Sequence, residues 1–315
     1  MIYNIRVCLL GVCAVTLLVS ASAAQVTISG GAYMSGGVTT SGSGTSSGSW
    51  SDNFRKTTLA VGQVTKDEFG LDHFQTGGVA VLISDGRNRF FIATAKHVFD
   101  NPSEHWAPES LQFRGWKDEQ KSRYRDFGAR IVLRQNGKNL FTASSDFDLA
   151  VIPATEELLT RIELDGHKVA VLQPTDFADA QTTSDGEDVV VLGFPALVGE
   201  EYQQRALMRS GIVAWTDSSG PTNHEFLIDA RIFPGNSGGP VFSTPAGVNR
   251  DASISTGRVV KLLGLVSKTV NAKPDVAFGI RLPENGLVIG AAGVGIIEPA
   301  QELIKLMDKA ESEQQ

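Results

Sequence analysis

Three residue types that together can build a nucleophilic site occur in this chain in the order histidine, aspartate, serine. The serine, Ser237, is framed by glycines in the run Gly235-Asn236-Ser237-Gly238-Gly239-Pro240. A serine hydroxyl becomes a useful nucleophile only when a base takes its proton and the backbone exposes it. Flanking glycines permit unusual dihedrals and let backbone N–H groups approach a developing oxyanion. A Gly/Ser loop without chemistry is the alternative, but Pro240-Val241-Phe242 directly after indicates the start of a buried strand and so predicts that Ser237 sits on a defined turn.

The same residues also fit G-x-S-x-G, the nucleophile elbow of α/β-hydrolases, whose histidine follows the serine along the chain. All five histidines of this chain precede Ser237, namely His73, His97, His105, His167 and His224. The elbow interpretation is therefore excluded. An order of histidine, aspartate and serine stays open.

Two further motifs supply a candidate base and a candidate acid. His97 follows the apolar run at residues 90–95, and Asp148 stands directly before the apolar run at residues 149–152. Taken alone, a histidine after a strand or an aspartate before one is commonly structural. Only their combination with Ser237 points to catalysis.

The elements that must position these residues are mostly strands. Short runs rich in Val, Ile, Leu and Phe recur between turn residues, which favours an all-β sandwich or barrel over βαβ units. The predicted strands are residues 79–84, 89–95, 130–134, 149–152, 189–192, 206–215, 225–232, 259–267 and 276–282. Asp85, Gly86 and Asn88 predict a hairpin between the first two. One clear helix is predicted at residues 298–311, with Pro299 in its first turn.

The N-terminal residues predict export to the periplasm or the medium. Residues 1–24 combine a basic start, a short apolar stretch and small residues before a cleavage point after Ala23 or Ala24, as in a secretory signal peptide. The apolar stretch is shorter than the roughly 20 residues of a membrane span, so we expect no stable membrane insertion after its removal. Both cysteines, Cys8 and Cys13, lie in this leader, so we expect no disulfide in the mature chain.

The remaining composition defines the domain organisation. A Gly/Ser-rich flexible arm is predicted at residues 25–56 and one folded domain at residues 57–312. The formal net charge of −7 and the lack of a basic run argue against a nucleic-acid partner. The histidines show no H-E-x-x-H spacing, so no zinc site is predicted.

Taken together, the motifs resemble the trypsin/chymotrypsin-like serine peptidases, most closely the bacterial Deg/HtrA type. The run Thr94-Ala95-Lys96-His97-Val98 is similar to the family's T-A-x-H-V, and Asp148-Leu149-Ala150-Val151 is similar to its D-[IL]-A-[VL]. Gly235 to Pro240 is similar to its G-N-S-G-G-P. The resemblance covers about residues 57–311, and we expect no room after Ser237 for the PDZ domain that many such enzymes carry.

The resemblance implies a fold and a division of the chain. The expected architecture is two antiparallel six-stranded β-barrels with the site in the cleft between them. The N-terminal barrel would span about residues 57–170, the C-terminal barrel about residues 185–297, and the helix at residues 298–311 would follow.

The resemblance also implies the activity of a serine endopeptidase acting on proteins or peptides, with no metal and no cofactor. His97 would be the general base, Asp148 the residue that orients it, and Ser237 the nucleophile. The backbone N–H groups of Gly235 and Ser237 would form the oxyanion hole. The expected substrate pocket is formed by Arg231, Phe233, Gly264, Val266 and Ser267.

Two alternatives stay open. Arg231 could meet an acidic substrate side chain, as charge complementarity would favour, or it could point away from the pocket. The fold could also serve as a catalytically inactive trypsin-like module that binds extended peptides. The filled triad positions favour the enzyme.

Overall fold

The computed structural model describes residues 50–117, 128–155, 158–159, 167–179, 182–195, 202–217, 225–248, 254–270 and 293–313. The predicted signal peptide, most of the predicted arm and the predicted strand at residues 276–282 lie outside these residues. Within the described ranges, no helix has both the length and the apolar character needed to cross a bilayer.

The α-helices whose full extent is described are α1 (Trp50–Lys56), α2 (Lys96–Phe99) and α3 (Gln301–Ser312). The strands of the N-terminal half are β1 (Thr58–Lys66), β2 (Asp72–Ser84), β3 (Phe90–Thr94), β4 (Ser110–Arg114), β5 (Trp116–Lys117), β6 (Ala129–Val132), β7 (Arg134–Gln135), β8 (Lys138–Asn139), β9 (Thr142–Ala143), β10 (Ala150–Ala154) and β11 (His167–Lys168). Those of the C-terminal half are β12 (Asp188–Gly193), β13 (Leu207–Trp215), β14 (Phe226–Asp229), β15 (Pro240–Ser243), β16 (Ala246–Val248), β17 (Ile254–Thr256), β18 (Leu262–Thr269) and β19 (Val294–Pro299).

The N-terminal half is built on one seven-stranded sheet in the order β6-β4-β1-β2-β3-β10-β9. The predicted hairpin between β2 and β3 is confirmed. Its turn is held by Asp85, whose Oδ1 accepts hydrogen bonds from the N–H groups of Arg87 at 2.8 Å and Arg89 at 3.2 Å. Gly86 and Asn88 take the positive φ values of 78° and 64° that such a turn requires.

The expected closed six-stranded N-terminal barrel is not what the described residues form. The end strands of the sheet, β6 and β9, are not paired with each other there. Strand β9 has only two residues, Thr142–Ala143, which is too short to extend a ladder to a further strand. The sheet therefore curves around its core as a half-barrel.

The C-terminal half forms the expected closed six-stranded barrel, in the order β12-β13-β14-β19-β18-β15. Its last strand is Val294–Pro299, in a region where the sequence pattern predicted the start of the helix. Glu298 and Pro299 pair with Leu265 and Gly264 of β18, and these strand contacts delay the helix to Gln301.

Strand alternation divides the interior into three cores. In β2, Val79 and Val81 face one core while Ala80 and Leu82 face another, because successive side chains point to opposite sides of a sheet. Each half thus has its own core. A third core between the halves gathers Phe54, Val79, Val81, Leu149, Val151, Leu192, Phe194, Phe242, Leu265, Leu303, Leu306 and Met307, among others.

Helix α1 differs from the expectation that residues 25–56 form a flexible arm. Phe54 is 2% exposed and its ring lies 4.3 Å from that of Phe242. The Arg55 Nε donates a hydrogen bond to the Ala206 carbonyl at 3.1 Å. The last residues of the predicted arm are therefore packed against the C-terminal half.

Candidate active site

His97 lies just beyond the end of a buried central strand. Strand β3 pairs with β2 on one side and β10 on the other. Ala95, in extended conformation with φ of −65° and ψ of 137°, leads out of the sheet into α2, where His97 is the second residue. The imidazole stands at the end of the sheet with 33% of its side chain exposed.

The register of β10 against β3 places Asp148 beside His97. Ala150 pairs with Thr94, so Asp148, two residues earlier, comes opposite the start of α2. The Asp148 Oδ2 lies 2.7 Å from His97 Nδ1, and Oδ1 accepts a hydrogen bond from the His97 backbone N–H at 3.0 Å. Asp146, the neighbouring acid, is exposed.

The contact with Asp148 fixes the protonation pattern of the imidazole. A carboxylate can only accept a hydrogen bond, so the hydrogen of neutral His97 resides on Nδ1. The lone pair then remains on Nε2, where it can accept a proton.

Asp148 is kept ionised by the groups around it. Burial favours its neutral form, but the hydrogen bond and charge of His97 outweigh that effect, and the pKa of Asp148 lies below its ordinary value. The Ser267 hydroxyl contributes by donating to Oδ2 at 2.6 Å. The sequence pattern assigned Ser267 to the substrate pocket and did not indicate this contact.

A second carboxyl group lies behind Asp148. Glu298 is 4% exposed, and its Oε1 accepts a hydrogen bond from the Asp148 backbone N–H at 3.3 Å. Burial raises the pKa of Glu298 to about 7; the Asp148 N–H bond and Lys268 act against this rise, and the charges of Asp148 and Glu225 add to it. Glu298 was not among the predicted site residues because the sequence pattern placed it in a helix.

Ser237 directly follows a tight turn, residues 233–236, whose shape depends on Pro234 and Gly235. The Asn236 N–H donates to the Phe233 carbonyl at 3.1 Å, and Gly235 has a φ of 88°. Proline at the second position and glycine with positive φ at the third describe a type II turn. The turn fixes the backbone immediately before Ser237.

Backbone contacts bring this turn against the N-terminal half. The Val79 N–H donates to the Ser237 carbonyl at 2.7 Å. Gly238 packs so closely that a Cβ there would overlap the Val79 carbonyl and the Thr94 hydroxyl. Ser237 therefore lies beside the segment that carries His97. The described structure has no direct hydrogen bond between the Ser237 hydroxyl and the imidazole, a bond that often tightens only in the substrate complex.

Two backbone N–H groups beside the Ser237 hydroxyl are left without an acceptor in the described part of the chain. The N–H groups of Asn236, Gly238 and Gly239 donate to the carbonyls of Phe233, Val266 and Asn236. Those of Gly235 and Ser237 donate to no described acceptor. Two such donors next to a nucleophile can hold the oxyanion of a tetrahedral intermediate.

The segment before the turn carries two of the predicted substrate-pocket residues. Arg231 is exposed, with a φ of 50°. Phe233 is half-buried, and the Arg209 guanidinium lies 5.3 Å from its ring centroid. The Arg209 Nη1 also donates to the Arg231 carbonyl at 3.0 Å. Arg209, which the sequence pattern did not single out, supports this segment from β13.

The other three predicted pocket residues lie on β18. Val266 is 1% exposed and belongs to the core of the C-terminal barrel. Gly264 pairs with Val241 on one side and Pro299 on the other, inside the sheet. The side chain of Ser267 is also buried, and its hydroxyl contacts Asp148. Of the predicted pocket residues, Arg231 and Phe233 are therefore the ones with accessible side chains.

A cleft of about 290 Å³ opens beside His97 on the N-terminal half. Its lining includes Gly77, His97, Asn101, Glu104 and Trp106. The sequence pattern did not indicate this cleft, because its walls come from β1, β2 and the segment after α2, which are distant in sequence. It can accept a substrate side chain next to the imidazole.

A family model described as "Trypsin-like peptidase domain" matches residues 78–264, more than half of the chain. The matched range contains His97, Asp148 and Ser237. No match was found among curated proteins.

Proposed function

Because the chain belongs to the family of trypsin-like peptidase domains, we propose that it is a secreted serine endopeptidase, closest to the Deg/HtrA type. In this proposal His97, Asp148 and Ser237 form its catalytic triad. The observation that carries it is the pair of hydrogen bonds that the Asp148 carboxylate accepts from Nδ1 and from the backbone N–H of His97.

The first half of the reaction is acylation. The Ser237 Oγ attacks the carbonyl carbon of the scissile peptide bond while His97 Nε2 takes its proton. Asp148 holds the imidazole in the required tautomer and stabilises the imidazolium that forms. The tetrahedral oxyanion accepts hydrogen bonds from the N–H groups of Gly235 and Ser237; removing one such donor costs about 10²–10³ in rate in a serine protease.

Collapse of the tetrahedral intermediate gives an acyl-enzyme, and hydrolysis of that acyl-enzyme completes the cycle. The imidazolium gives its proton to the leaving nitrogen, the C–N bond breaks, and an ester to Ser237 remains. A water molecule then attacks the ester, again losing a proton to His97, and the acid product leaves with Ser237 restored. All proton transfers thus pass through Nε2, which is free to accept a proton because the hydrogen of neutral His97 resides on Nδ1.

The cleft beside His97 supports binding of an extended substrate. It lies on the N-terminal half, next to the strand that contacts the Ser237 carbonyl through Val79. We assign it to a substrate side chain near the scissile bond, and the exposed Arg231 and half-buried Phe233 to another. The predicted leader would export the enzyme.

The proposal is tested by turnover of casein with the exported protein. Wild type should release peptides, and S237A should lose this activity by a factor on the order of 10⁴ or more. S210A, a change at an exposed serine of β13, is the matched control and should keep full activity. Wild-type protein that is folded yet releases no peptides would contradict the proposal.

Mass measurement of the same sample should find the mature chain starting after Ala23 or Ala24.

A further inference from the structure

Asp148 is contacted from two adjacent strands of the C-terminal barrel. Ser267 on β18 donates to its carboxylate, and Glu298 on β19 accepts from its backbone N–H. The two strands pair antiparallel, with Glu298 opposite Leu265. The pairing of the two strands therefore holds the Glu298 carboxyl next to the backbone N–H of Asp148.

The Glu298 carboxyl is only half satisfied in this position. Its Oε1 accepts the Asp148 N–H, whereas its Oε2 is buried and has no hydrogen-bond partner among the described residues. The charged groups acting on it are Asp148, Glu225 before β14 and Lys268 on β18. Two negative groups and one positive group do not compensate a buried carboxylate, so its proton is retained to higher pH than usual.

We propose that Glu298 is a positioning residue of the proposed triad, a second buried carboxyl that holds the Asp148 backbone and sets the electrostatic field at the Asp148–His97 pair through its own protonation state. The inference rests on the proposed function, because the field matters only if His97 exchanges protons during catalysis. Since Oε1 accepts the Asp148 N–H, the exchangeable proton resides on Oε2.

The direction of the effect follows from charge. Ionised Glu298 adds a negative charge on the Asp148 side of the imidazole, which stabilises the imidazolium. Neutral Glu298 adds no such charge. The two groups titrate as a coupled system, since each proton bound to one weakens the binding of the other.

The experiment compares the full exported chain with E298Q, both in the S237A background. Glutamine keeps an acceptor for the Asp148 N–H but cannot ionise. The readout is the NMR titration of the His97 imidazole. We expect E298Q to lower its midpoint by about half a unit to one unit. E302Q removes a carboxyl that is also buried but is paired with Lys305, and it should leave the midpoint unchanged.

Two results would overturn the inference. One is an E298Q midpoint equal to that of the S237A parent. The second result does not require E298Q to fold. In the S237A protein labelled with ¹³C-glutamate, we expect one side-chain carboxyl resonance to titrate near neutral pH. Its absence would remove the ionisable group on which the inference depends.

An activity measurement separates this inference from the proposed function. In the active background, E298Q should move the acid limb of the kcat/KM profile to lower pH by the same amount, with KM little changed. Folded protein that is inactive but shows the NMR shift would contradict the endopeptidase and uphold the role of Glu298. Active protein with identical kcat/KM profiles for wild type and E298Q would support the endopeptidase and contradict the role of Glu298.

Discussion

At the residue scale, the site is organised around the Asp148 carboxylate. It accepts hydrogen bonds from the side chain and the backbone of His97 and from the Ser267 hydroxyl. Hydrogen bonds to a charged acceptor are stronger than neutral ones, which is why Asp148 stays ionised despite its burial. Glu298 is also buried, but among the described residues its carboxyl accepts only the Asp148 backbone N–H, so burial dominates and its pKa moves the opposite way.

The shifted Glu298 makes stability depend on pH. Its pKa is raised from 4.5 to about 7, so the folded chain keeps a proton that the unfolded chain releases. This favourable contribution is complete below the unfolded pKa and is lost as pH rises through the folded one. A shift of this size corresponds to about 3 kcal/mol.

We therefore expect wild-type stability to fall relative to E298Q as pH rises from about 4.5 to above 7. The measurement is urea unfolding at a series of pH values, with S237A in both proteins to prevent self-cleavage. E302Q serves again as the control. If the unfolding free energies of S237A and of S237A/E298Q run parallel over this pH range, the pKa of Glu298 is not raised in the folded protein.

At the scale of elements, the site depends on how a turn of one half meets strands of the other. The Gly235–Gly239 turn donates and accepts backbone hydrogen bonds with β2 and β18. The sequence predicted this turn, the hairpin of β2 and β3, and the strands flanking His97 and Asp148, because glycine positions and strand alternation are local signals. It did not predict β19, since Glu298 and Pro299 read locally as a helix start and only pairing with β18 makes them a strand.

The close approach at Gly238 gives a prediction for this element. Its φ of 80° costs an L-residue about 1–2 kcal/mol, and a Cβ would also overlap the Val79 carbonyl. We expect G238A to lose peptidase activity by on the order of 10²-fold or more, because the turn must move away from β2.

Gly137, in the turn between β7 and β8, is the matched control. Its φ of 75° is similar, but a Cβ there would meet nothing within 4 Å. G137A should therefore lose about 1 kcal/mol of unfolding free energy and keep its activity. Equal activity of G238A and G137A, measured on the same substrate, would show that the close contact is not needed.

At the scale of the whole molecule, two halves are joined by a shared core and by helix α3. Leu303, Leu306 and Met307 of α3 belong to the core between the halves. Beyond the helix, Glu313 accepts a hydrogen bond from the Thr142 hydroxyl at 2.6 Å. The C-terminal segment thus returns to the N-terminal sheet and contacts both halves of the molecule.

The sequence predicted the two-lobed organisation through the family resemblance, and the closed C-terminal barrel agrees with it. It did not predict the open N-terminal sheet, because closure depends on short edge strands whose pairing leaves no local pattern. Nor did it predict that Phe54 of α1 packs into the shared core, since that helix directly follows a Gly/Ser-rich tract. Long-range packing decided each of these differences.

The proposed function requires Ser237 to be an activated nucleophile, and covalent labelling detects such a serine without any choice of peptide substrate. The folded wild-type protein is treated with a fluorophosphonate, and the adduct is located by peptide mass spectrometry. We predict one adduct per chain, on Ser237, formed far more slowly in H97A. Folded wild-type protein that stays unlabelled, or that carries its adduct on another residue, would show that Ser237 is not an activated nucleophile.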